Sequence, residues 1–142
     1  MKFFTNLLIF LLFITLNFDC NTNENKIPYV YVDFTIDLDM PEFFELNTIG
    51  NYIYVTGGVS GIVIYRDSRD VFYAYERACP YDPGIGRISV VDGEYKLVDT
   101  CCGSEYSLTL EGAVLKGPSR TPLVRYQTIY FESTNQLRVF NQ

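Results

Sequence analysis

Two stretches decide how this chain is read: "RACPYDPG" at 77–84 and "VDTCCGSEYSL" at 98–108. Each is a Cys-containing turn between short apolar runs. Pro80, Pro83 and Gly84 interrupt regular structure after Cys79, and Gly103 follows the vicinal pair Cys101 and Cys102. A pair of Cys loops looks built to hold a metal, yet the chain contains no histidine. That excludes a Ser-His-Asp or Cys-His nucleophile, a His-ligated zinc and a near-neutral imidazole base. Any metal would rest on Cys, Asp, Glu or Tyr.

Outward from these loops the hydrophobic period is two. "YVYVDFTIDLD" alternates apolar residues with Asp and Thr, as a half-buried strand does. A strand is expected over 52–56, broken by Gly57 and Gly58. A hairpin is expected over 62–75, turning at Asp67–Asp70, and another over 87–99, turning at Asp92–Gly93. Turns at Glu111–Gly112 and Thr134–Asn135 divide the remaining strands, and 41–46 is the one helical turn anticipated. Many short strands with regular turn signals predict an all-β fold, a small antiparallel sandwich or barrel with both Cys loops at one end.

The 142 residues suffice for one domain and one modest core, and 48% apolar with 16% aromatic content is incompatible with a disordered chain. The net charge of −6 argues against a nucleic-acid partner, because an acidic surface repels phosphate.

The start of the chain, "MKFFTNLLIFLLFITLNFDC", places Lys2 before the apolar run 7–16. The run is too short to span a bilayer and reads as the core of a signal peptide over 1–19. Cys20 resembles the acylated Cys of a bacterial lipoprotein, although Asn17, Phe18 and Asp19 stand where that signal has small residues. The polar stretch 21–26 fits a tether, so 20–27 is expected to be a lipid anchor plus flexible linker and 28–142 the domain. The expectation is an exported lipoprotein, in a periplasm or at a cell surface. Its contacts would be a membrane, through the lipid, and a protein partner that the sequence does not identify.

On the strength of the two loops and of the residues C-terminal to them, the region 52–140 resembles the Rieske iron–sulfur family. The family pattern is Cys-x-His in loop one and Cys-x-x-His-Gly-Ser in loop two, then an aromatic residue, a Gly, and a Gly-Pro loop with Pro-Leu and Tyr. Here loop one is Cys79-Pro80-Tyr81, loop two ends Cys102-Gly103-Ser104 with Tyr106 beyond, and the tail holds Gly112 and "GPSRTPLVRY" at 117–126. The chain also looks like Rieske-like lipoproteins of the Bacteroidetes that share a "CCGS" loop. The resemblance implies a Rieske-type β domain and an ancestral role in one-electron transfer through a [2Fe–2S] cluster held by two Cys and two His. It implies supporting roles for Gly103, Ser104, Tyr106, Gly117 and Pro118, which would shape the loop tips, hydrogen-bond to the cluster and cover it.

The ligand positions depart from that pattern. Cys79 matches a ligand, but Tyr81 replaces the first His, Asp99 the second Cys and Cys102 the second His. Cys101 matches a structural disulfide Cys whose usual partner is Gly84 here. Three readings are open. In the first the cluster is lost and the fold kept, with no cofactor and no enzymatic activity, and a disulfide between Cys79 and Cys102, or second Cys101, staples the loops. In the second a redox protein keeps an iron–sulfur cluster on altered ligands: Cys79, Cys101 or Cys102, and Asp99 or Tyr81. In the third the Cys residues are plain staples of another sandwich. The first leads, because both imidazoles are gone and vicinal Cys side chains diverge.

Three other stretches have bland readings. The acidic residues of "DFTIDLD" are a solvated strand face, "YAYER" is core plus rim, and Ser60 has no base beside it.

Overall fold

The computed structural model describes residues 26–142. The expected signal peptide and the acylated Cys20 lie outside the described residues. Within them the chain is all-β: ten strands and two short 3₁₀ turns, in two antiparallel sheets. Among the described residues no helix is long and apolar enough to cross a membrane.

The strands are β1 (Asp33–Asp37), β2 (Tyr52–Val55), β3 (Ile62–Arg66), β4 (Phe72–Glu76), β5 (Ile88–Val90), β6 (Lys96–Asp99), β7 (Glu105–Ser107), β8 (Val114–Lys116), β9 (Arg125–Phe131) and β10 (Gln136–Phe140). The larger sheet has the order β1-β10-β9-β4-β3-β2, and the smaller is the meander β5-β6-β7-β8. Consecutive strands mostly pair as hairpins, but β1 pairs with β10 and β4 with β9, so non-local contacts tie distant parts of the domain together.

Alternation explains how the two sheets meet. Every residue of β3 is buried. Ile62 and Ile64 enter one apolar cluster with Ile36, Leu46, Phe72, Ala74, Tyr126, Leu137 and Val139. Val63 and Tyr65, on the other face, enter a second cluster with Tyr75, Ile88, Leu97, Tyr106, Leu108 and Leu123. All strands of the larger sheet except β2's outer residues feed the first cluster, which requires the sheet to curl around it as a half-barrel. The second cluster glues the small sheet to the back of β3 and β4. Cys79 belongs to it, so the loop end of the molecule is seated on packed side chains.

Candidate functional site: two loops and four converging donors

Loop one leaves β4 and returns as β5. The bridge between Ala78 and Arg87 closes its neck, and the Arg77 carbonyl accepts from the Ile88 amide at 2.7 Å. The Arg77 guanidinium lies 3.8 Å from the Tyr54 ring centre and donates through Nε to the Ile88 carbonyl at 2.8 Å, bracing that neck. Inside the loop the Asp82 carbonyl accepts from the amides of Ile85 and Gly86 at 3.0 and 3.1 Å. This turn folds the Asp82–Gly86 segment back under the tip. Loop two joins β6 to β7. Asp99 and Ser104 close it through the Asp99 amide and the Ser104 carbonyl at 2.9 Å, and the Gly103 amide donates to the Asp99 carbonyl at 2.8 Å.

The tips meet. Cys79 is fully buried, and its Sγ lies 3.6 Å from Cys102 Sγ and 3.4 Å from the Tyr106 hydroxyl. Four side chains, Cys79, Asp82, Asp99 and Cys102, bring one donor atom each within 4.8 Å of one another. Asp99 is fully buried. Its Oδ1 accepts from the Cys101 amide at 2.7 Å, whereas its Oδ2, like Oδ1 of Asp82, is buried with no hydrogen-bond partner. Gly86 forms the floor beneath them: a Cβ there would fall 1.9 Å from Asp99 Oδ2 and 2.8 Å from Asp82 Oδ1.

Charge at this point is finely set. Burial pushes the Cys79 thiol up to about 12, opposed by the Tyr106 hydroxyl and by the amides of Tyr81 and Asp82, which favour the thiolate. Burial also raises the Asp99 carboxyl, but the Cys79 thiol and the Cys101 amide outweigh it and hold Asp99 below the usual carboxylate range. Ser104 is buried and accepts the Ser119 amide at 3.0 Å, so its hydroxyl is shared with the Cys102 sulfur 3.1 Å away.

Several expected residues stand here. Cys79, Asp99 and Cys102 converge, and Ser104 and Tyr106 flank the sulfurs. Tyr81 does not join them, because its side chain is 52% exposed. Cys101 is exposed. The expected disulfide between Cys79 and Cys102 is not formed here: the two sulfurs are in contact at 3.6 Å, and Cys101 is unbonded as well. Gly103 shapes the tip of loop two through a left-handed backbone at φ 77°, and nothing lies within 4 Å of where its Cβ would be, so its role there is conformational and not one of space. Gly117 and Pro118 are exposed, and Ser119 beside them makes the buried contact with loop two.

Asp82, Gly86 and Ser119 join the site without being evident from the sequence. A signal for the first exists there: a carboxylate three residues after Cys79, held in a Pro-Gly turn.

No protein-family model matches the chain, and no curated protein matches it. Solved structures with a likeness to it include a protein assigned as the small subunit of an NADH-dependent nitrite reductase from Mycobacterium tuberculosis, with TM-score 0.49, 15% identity, and coverage of 80% of this chain and 98% of that one. The E. coli protein NirD is similar at TM-score 0.48 and 13% identity over 79% of this chain and 96% of its own. A third is assigned as the small subunit of an NADPH nitrite reductase, at TM-score 0.41 and 18% identity over 80% of this chain and all of that one.

Proposed function

We propose that this chain is an exported, membrane-tethered, non-enzymatic module of Rieske-like build, in which the loop end is a cross-link between loops and not an electron-transfer centre. One observation carries the reading. The donors of the two loops converge within 4.8 Å on a single point. A [2Fe–2S] cluster instead spreads its ligands in pairs over two separate irons, two of them imidazoles in the Rieske case. This chain has no imidazole, and Tyr81, at one imidazole position, is turned to solvent. The residues present do not fit that cluster. What they do fit is a staple: each loop is a turn with little apolar surface of its own, and the pair is held through Cys79, Asp82, Asp99 and Cys102.

The tether rests on the sequence of 1–26, with Cys20 as the acylated residue. The exposed remainder of the domain would then be free to bind a partner.

The test is the colour and content of the purified full-length chain. It should be colourless and folded, without iron or acid-labile sulfide. Visible absorption with stoichiometric iron and sulfide would replace this reading with that of a redox protein on altered ligands. For the tether, mass spectrometry should find an acylated Cys20 at the mature N-terminus, and an unmodified residue further along the chain would remove the anchor.

A further inference from the structure

We infer that Cys79, Asp82, Asp99 and Cys102 form a closed site for one divalent cation of the zinc class, held by two sulfurs and two carboxylate oxygens. The inference rests on the reading of the loop end as a staple and specifies what the staple is.

The spacing is that of one ion. At zinc–sulfur and zinc–oxygen bonds of about 2.3 and 2.0 Å, the edges of a tetrahedron run from about 3.3 Å between oxygens to about 3.8 Å between sulfurs. The two sulfurs already stand 3.6 Å apart, and the remaining donors need only a small inward movement from their present limit of 4.8 Å. The ligand set spans both loops, as a cross-link requires: Cys79 and Asp82 from the first, Asp99 and Cys102 from the second.

The carboxylates decide between an ion and the alternatives. Asp99 Oδ2 and Asp82 Oδ1 are buried without a partner, an arrangement that burial penalises unless something positive sits between them. A disulfide would join the thiols and leave both oxygens orphaned. A proton shared by the carboxyl groups would join the loops through a single hydrogen bond and leave both sulfurs unused. One cation satisfies all four groups at once. Two thiolates and two carboxylates around a divalent ion leave the same formal charge as a Cys₄ zinc site. Sulfur in the set selects against magnesium and calcium, which take oxygen alone.

The surroundings are built to orient the ligands. The Cys101 amide fixes Oδ1 of Asp99, which leaves Oδ2 for the ion. The Ser104 oxygen accepts the Ser119 amide and the Cys102 thiol, so once Cys102 gives up its proton to a metal the Ser104 hydroxyl is in place to donate to the thiolate. The Tyr106 hydroxyl reaches the Cys79 sulfur. Such outer partners hold ligand geometry in metal sites. Gly86 supplies the space, since a side chain there would occupy the carboxylates' position. Four protein ligands and no open position make the site structural, not catalytic.

The test is a titration of the full-length chain, stripped by chelator under reducing conditions, with cobalt(II). The expected result is one cobalt per chain, with thiolate charge-transfer bands and the intense visible absorption of tetrahedral cobalt, bleached by an equivalent of zinc. Zinc should protect Cys79 and Cys102 from alkylation while Cys101 continues to react. Asp82→Asn, at a half-buried position that spares the core, should weaken binding by more than about tenfold, a loss at least as large as that from removing an outer-shell partner. Tyr81→Phe should leave it unchanged. A Cys79–Cys102 disulfide in the unreduced chain, with no cobalt bound after reduction, would overturn the ion and keep the staple. Cys79, Cys101 and Cys102 all reactive in a folded chain that ignores cobalt would overturn both, as would bound iron with labile sulfide.

Discussion

At Gly103 and Gly86 two glycines are needed for different physical reasons, and substitution separates them. Gly103 stands at φ 77° with open space where its Cβ would be. Gly103→Ala therefore meets only the backbone cost of a left-handed conformation, about 1–2 kcal/mol, to be read from denaturant unfolding. Metal titration should be unchanged, because the loop keeps its shape. Gly86 is the opposite case: the missing side chain is room for Asp99 and Asp82. Gly86→Ala must push the carboxylates aside, so cobalt binding should fall sharply while the metal-free chain melts within a few degrees of the parent. Cobalt affinity equal to that of the parent would place the ion elsewhere. This contrast also marks what the sequence discloses about the site. Cys79, Asp99 and Cys102 are legible because the loops align with a known pattern. Asp82 and Gly86 are not, because they matter only once the turn from Asp82 to Gly86 folds beneath the other loop. Tyr81 occupies a ligand position by count, yet its side chain is exposed.

The turn between β2 and β3 is held in place by a residue outside it. Glu76, the last residue of β4, is fully buried, and its carboxylate accepts the amides of Val59, Ser60 and Ala78 at 2.7, 2.8 and 2.9 Å and the Tyr126 hydroxyl at 2.8 Å. One side chain thus ties the 57–61 turn, loop one and β9 together. Tyr126→Phe removes one of these bonds and should cost about 1–2 kcal/mol. Glu76→Ala removes the acceptor of three amides and a hydroxyl, of which the Ala78 amide and the Tyr126 hydroxyl are buried, and should cost several kcal/mol, on the order of 1–3 for each buried group left unsatisfied. Faster amide exchange at Val59 and Ser60 in Glu76→Ala would localise the loss to the turn, whereas uniform exchange changes would refute the tie. As the charged end of "YAYER", Glu76 belongs on a rim. The period of two, which places it on the same face as Phe72 and Ala74, points inward instead. Its partners come from a turn well before it and a strand well after it, which no local pattern exposes. The same limit holds for the sheets. The strands and turns themselves are legible from alternation and from Asp-Gly and Asn pairs. That β4 lies beside β9, and β1 beside β10, is not, because alternation says which residues face in and not which strand is the neighbour.

For the whole molecule the instructive groups are the tyrosines, twelve in a chain without tryptophan or histidine. The half-barrel and the small sheet close over several of them. Tyr75 is fully buried and donates its hydroxyl to the Leu108 carbonyl at 2.9 Å, across the junction between the sheets. Burial pushes its ionisation well up, and burial with the Glu76 carboxylate does the same for Tyr126. The bond Tyr52 donates to Asp92, joined by burial, raises Tyr52 to about 12. In the unfolded chain each would lose its proton near pH 10. Between that pH and the folded values the native state holds more protons than the unfolded state, so stability falls as pH rises. The contribution is complete below about pH 10 and is lost progressively from there through 12 and beyond, while the growing negative charge of an already acidic chain adds repulsion. The denaturant midpoint should therefore be insensitive to these groups at neutral pH and decline steeply above pH 10. Tyrosinate absorbance should rise in more than one phase, the last coinciding with loss of the near-ultraviolet dichroism that reports packing. Tyr75→Phe should unfold with a shallower alkaline decline than the parent, since it carries no proton to lose at the junction. If all twelve tyrosines ionised in a single step near pH 10 with the fold intact, the two sheets would not be sealed against each other through Tyr75, and the two Cys loops would lose the packed junction on which they are seated.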